Sequence, residues 1–102
     1  MKAVRIHEYG GPEKLKYEDA PRPEPAPDEV LIKVYASGVN PIDWKIREGS
    51  HKEKFPGNLP LTLGWDVSGV VAEAGKEVKN LKTGDEVYSR PDATSNGTYA
   101  EY

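Results

Sequence analysis

Proline occupies every second position from Pro21 to Pro27, and behind this run stands Val30-Leu31-Ile32-Lys33-Val34-Tyr35-Ala36, the most strand-like stretch of the chain. Each proline fixes φ near about −65° and removes a backbone donor. The segment 21–27 therefore reads as a stiff connector or an edge segment in polyproline geometry and forbids a helix. The run that follows, rich in β-branched and large apolar side chains, predicts a strand, and a central one.

The remainder follows the same habit of short runs closed by turn residues. Residues 2–8 alternate in part, with Ala3, Arg5 and His7 opposed to Val4 and Ile6. Gly10-Gly11-Pro12 then supplies a turn, and residues 15–19 complete a hairpin. Residues 66–74 form a second β-branched run that carries Val67, Val70 and Val71, with Gly69 inside it. A glycine there marks a bulge or a close backbone approach. Residues 74–78 and 82–85 read as turns, 86–89 as a strand and 97–102 as a last strand. Ser37 to Gly49 reads as a tight turn leading into a short helix. Several short strands at regular spacing with one short helix predict a small barrel or sandwich.

A chain of 102 residues fits one small domain, which buries only about two-thirds of the surface its unfolded form exposes. Hydrophobic residues at 36% and charged ones at 30% exclude both a disordered chain and a membrane span. The opening Met1-Lys2-Ala3-Val4-Arg5-Ile6-His7 lacks the apolar run of a secretory signal and reads as the first strand of a cytoplasmic protein. Fourteen basic side chains against seventeen acidic ones, interspersed, give a net charge of −3. Neither a nucleic acid nor an anionic membrane is expected as a partner. Cysteine is absent, which rules out a disulfide framework, a thiolate nucleophile and cysteine-ligated zinc. His7 and His51 have no Cys or His partner at ligand spacing, and read as surface or partly buried histidines.

The residues that can carry chemistry gather in one place. Asn40, Asp43, Trp44 and Lys45 bring an amide, a carboxylate, an indole and an ammonium onto the turn and helix, and Gly64-Trp65-Asp66 follows downstream. Asn40 either satisfies its own turn or faces a cleft, and Asp43 reads as a cap or bridge within the turn. Trp44 and Trp65 either pack or line a flat pocket, with Trp65 assigned to the cleft. Lys45 is either a solvated cation or a donor to a developing oxyanion. Phe55 lies in the aperiodic stretch from Gly49 to Gly64, where it touches substrate or plugs the loop. No G-x-G-x-x-G is present, so no dinucleotide fingerprint is legible.

Five segments in order, E-V-L-I-K-V, G-V-N-P-I-D, G-W-D-V-S-G-V-V, K-T-G-D-E-V and G-T-Y-A-E-Y, resemble the GroES-like catalytic domain of the medium-chain dehydrogenase/reductase superfamily. The closer resemblance is to its zinc-free quinone oxidoreductase, or zeta-crystallin-like, branch. It implies a mainly β, partly open barrel with one or two short helices over residues 1–102, expected to be a piece of a larger reductase whose Rossmann domain this chain does not contain. It also implies hydride transfer from NADPH to a quinone or enone, a homodimer at full length, and inactivity of this piece alone. Zinc-dependent relatives place a cysteine where Asn40 stands and a histidine where Trp65 stands, and keep an acidic residue at Asp66. The resemblance thus implies no metal, with Lys45 catalytic and Asn40, Trp44, Phe55 and Trp65 touching substrate or cofactor. Many quinone oxidoreductases carry tyrosine at the Lys45 position, and lysine there resembles the enone and alkenal reductases. The alternative is a free-standing GroES-like module that binds another protein by strand addition; a co-chaperonin subunit resembles the chain in fold only.

Overall fold

Two three-stranded antiparallel sheets carry the chain in the computed structural model, which describes residues 1–53 and 58–102. The first sheet orders β2 (Lys16–Asp19), β1 (Lys2–Ile6) and β4 (Leu61–Thr62). The second orders β3 (Val30–Ala36), β5 (Val67–Ala74) and β6 (Glu86–Ser89). The expected hairpin forms as β1 and β2 in register from Lys2 opposite Asp19 to Arg5 opposite Lys16, joined through a 3₁₀ turn at Pro12–Lys14. The architecture is mainly β and partly open, as expected.

The second sheet departs from expectation in its middle. β5, not β3, is the central strand, and β3 lies at the edge of the ladder. A β-branched run reports fitness for pleated backbone, not position within a sheet: in β3 only Leu31 is buried, whereas β5 buries Val67, Gly69 and Val71 on its inner face. Gly69 meets the expectation of a close approach. A Cβ at that position would stand 2.0 Å from the Lys33 carbonyl oxygen, beside a register shift of β3 between Val34 and Ala36.

The expected strand at 97–102 is instead an irregular extended clasp. Gly97, Thr98 and Tyr99 donate their N–H groups to the carbonyls of Thr62, Gly64 and Leu63, each at 2.8 Å. On the other side Val4 donates to Tyr99 O at 2.8 Å, and Val34 of β3 donates to Glu101 O at 2.9 Å. The segment thus changes partners every residue or two, too quickly for a regular ladder, and ties the first sheet to the second.

The one α-helix among the described residues, α1 (Pro41–Glu48), begins with proline at its first position and ends at Gly49, whose φ of +87° is the left-handed conformation glycine takes without strain. It buries Asp43 and Ile46, three residues apart and therefore on one face. Ile46 joins Ile6, Leu61, Leu63 and Trp65 in the core, with Tyr9, Ile42, Ala93 and Tyr99 packed around them. The last turn is tied to the hairpin reciprocally, Gly10 N–H donating to Arg47 O at 3.0 Å and Arg47 Nε to Gly10 O at 3.1 Å. Among the described residues, no helix is long and apolar enough to cross a membrane.

Candidate functional site

Asn40 stands where the turn after β3 meets α1, as the residue capping the helix in extended conformation. Its Nδ2 donates to Asp66 Oδ2 at 2.7 Å, across from the segment leading into β5. Gly38 makes room for that carboxylate: a Cβ there would sit 2.9 Å from Asp66 Oδ2. The Asp66 carbonyl accepts from Thr98 Oγ1 at 2.9 Å, and Thr98 Oγ1 in turn lies 2.7 Å from Ser37 Oγ. Both flanks of the turn are therefore pinned to the clasp.

Asp43, 4% exposed, caps as expected and does more. Its Oδ2 accepts the Asn40 N–H at 2.8 Å, the arm of a capping box that reaches back from the third helical residue. The same oxygen accepts the Tyr99 hydroxyl. Burial first, then the hydrogen bond to Asp43 and its charge, hold the Tyr99 phenol well above its ordinary value, so it remains a donor. Asp43 Oδ1 is buried with no hydrogen-bond partner among the described residues.

Lys45 and Trp44 lie beyond this network. Lys45 is half-buried, and its Nζ stands 5.7 Å from the centroid of the Trp44 ring, itself 45% exposed. Among the described residues no carboxylate is in ion-pair reach of that ammonium. On a helix Lys45 follows Pro41 by one turn. Trp65 corrects an expectation: at 1% exposed it is a core residue offering a ligand no surface, with an indole N–H left unpaired among the described residues. The flanking Leu63 and Val67, also buried, draw this stretch inward. Phe55 lies outside the described residues. The sequence reading missed Tyr99 as the partner of Asp43 and Thr98 as the support of Asp66; only their place in the G-T-Y-A-E-Y segment offered a signal.

A zinc ion does not fit this donor set. The Asn40 amide nitrogen is committed to Asp66 as a donor, and an indole has no lone pair to give. That leaves Asp66 as the single ligand type where catalytic zinc takes three. Among the described residues, no group of three or more His, Asp or Glu is arranged to hold a metal ion.

The alcohol dehydrogenase GroES-like domain family matches residues 26–102. Over its whole length the chain is 46% identical to the quinone oxidoreductase of Sus scrofa, of which it covers 30%. The fold superposes on the quinone oxidoreductase from Coxiella burnetii with a TM-score of 0.89 at 38% identity, covering 99% of this chain and 33% of that one. On Escherichia coli quinone oxidoreductase complexed with NADPH the TM-score is 0.82 at 33% identity, covering 90% of this chain and 28% of that one. The chain spans about 30% of the length of the curated relatives it matches. With the family matched over most of the sequence, and the fold shared from end to end, this chain belongs to the alcohol dehydrogenase GroES-like domain family of the medium-chain dehydrogenase/reductases.

Proposed function

We propose that this chain is the substrate-side domain of an NADPH-dependent oxidoreductase that reduces quinones or activated alkenes by hydride transfer without zinc. Its relatives include quinone oxidoreductases, one solved with NADPH. The observation that carries the reading is the Asn40–Asp66 hydrogen bond of 2.7 Å, a fixed polar pair where zinc-dependent relatives hold their metal.

NADPH supplies the hydride. With no G-x-G-x-x-G in the 102 residues, its pyrophosphate is held by a nucleotide-binding domain outside this chain, and the chain alone is inactive. This domain contributes the groups that face the acceptor. When a hydride adds to an enone or quinone carbon, the electron pair moves to the carbonyl oxygen, and that oxygen then takes a proton. Lys45, a half-buried ammonium, stabilises the oxygen and delivers the proton. Asn40 keeps a second amide hydrogen for substrate or nicotinamide, and Trp44 shields the ammonium from water on one side.

In the full-length enzyme, Lys45→Met is expected to lower kcat at least tenfold with KM for the quinone or enone little changed, the mark of an interaction made in the transition state. The 102-residue chain assayed beside it shows no turnover. Unchanged kcat in Lys45→Met, or turnover by the chain alone, refutes the reading.

A further inference from the structure

We infer that Tyr99 and Asp43 are positioning residues that aim Asn40, a reading that rests on Asn40 facing the reacting molecules. Three observations converge on it. The first is burial. A helix cap needs only an acceptor at the surface, yet Asp43 is 4% exposed with one oxygen unpaired among the described residues. Burying a carboxylate so incompletely paired is costly, and a solvated cap would do the local work without that cost. The second is what holds Tyr99. Its N–H donates to Leu63 O and its carbonyl accepts from Val4 N–H, both at 2.8 Å, while its ring packs on the core. The hydroxyl is therefore a fixed point of the sheet, and Asp43 Oδ2 connects it to the Asn40 N–H.

The third is that Asn40 is held from both ends by neighbouring residues of one segment. Tyr99 reaches its backbone through Asp43. Thr98 reaches its amide through Asp66, by bonding the Asp66 carbonyl at 2.9 Å. Two anchors on adjacent residues fix both the position and the direction of the amide. A cap built for helix stability would not require the second anchor to end on the side chain of the capping residue.

The test is a double-mutant cycle in the full-length enzyme with Tyr99→Phe and Asn40→Ala, which removes one hydroxyl and one amide while leaving the ring in the core. Tyr99→Phe is expected to lower kcat about tenfold with KM nearly constant, and to cause little or no further loss when Asn40→Ala is already present. Multiplicative losses, or no loss in Tyr99→Phe, overturn the inference. Amide hydrogen exchange reads the positioning without activity: the Asn40 N–H is expected to exchange at least tenfold faster in Tyr99→Phe. Unchanged exchange overturns the inference whatever the kinetics show. Faster exchange with no effect of Asn40→Ala on kcat also overturns it, and places the failure in the role given to Asn40.

Discussion

Replacing Gly69 by alanine places a methyl where the structure has backbone. The added carbon would stand 2.0 Å from the Lys33 carbonyl oxygen and 2.9 Å from Ile32 Cγ2, where contacts under 3.0 Å are essentially never seen. The oxygen cannot rotate away, so β3 must withdraw from β5 by about 1 Å against a normal strand spacing of about 4.8 Å. That stretches the ladder bonds beside Val34, which lies opposite Gly69. Losing one or two of them at about 1 kcal/mol each, with overpacking strain of about 1–3 kcal/mol, is offset by about 0.4–1 kcal/mol from a stiffer unfolded chain. The net loss is about 2–4 kcal/mol, and at about 4–8 °C per kcal/mol for a domain of this size Tm falls by about 10 °C or more. Thermal and urea unfolding followed by Trp65 fluorescence would read it, since that indole is 1% exposed. Gly84→Ala is the control: its φ is +96° but nothing lies within 4 Å of the new methyl, so it loses only about 1–2 kcal/mol to left-handed strain. A Gly69→Ala variant as stable as Gly84→Ala would refute the reasoning.

Two further outcomes are expected. The His7 hydrogen bond, chiefly, and then Arg5, against the opposing effect of partial burial, hold the Glu18 carboxyl below its ordinary value of 4.5. Its contribution is thus fully present above pH 4.5 and is lost as pH falls through the lowered value; urea midpoints for wild type should drop more steeply below pH 4.5 than those of Glu18→Gln, and parallel curves would count against the pairing. Chelation should leave the turnover of the full-length enzyme unchanged, with far less than one zinc per chain by atomic absorption; loss on chelation restored by zinc would return a metal to the site.

The legible parts of this fold were those governed by local chemistry. β3 and β6 carry the bounds their composition dictates, because turn residues close each run. Ser37 to Gly49 read as a turn leading into a short helix, and Gly69 read as a bulge or a close approach because a glycine inside a β-branched run has few other reasons to be there. Parity and propensity do not encode which strands lie inside a sheet, so β3 was expected at the centre and stands at the edge. β4, Leu61–Thr62, is too short to raise a periodic signal. Around Asn40 the sequence offered the turn itself but not the residues that support it. The partners of Asn40 and Asp43 lie 26 and 56 residues away, a distance over which no local pattern speaks. Trp65 shows the same gap from the other side, since an indole beside an acidic residue looks alike in a cleft and in a core.

The clasp at 97–101 has a consequence for the order in which the domain assembles. The Glu101 carboxylate accepts the Lys2 N–H at 2.7 Å, a contact 99 residues apart, while Val34 bonds the same residue's carbonyl. Each sheet can form its own hairpins early, but their junction waits for almost the last residue described. Until that segment docks, the Lys2 and Val4 groups of β1 and the outer edge of β3 at Val34 lack those bonds. Long-range closure of this kind slows folding and leaves edges exposed to wrong partners. Closing the clasp also completes the contacts by which Tyr99 reaches Asp43 and Thr98 reaches Asp66.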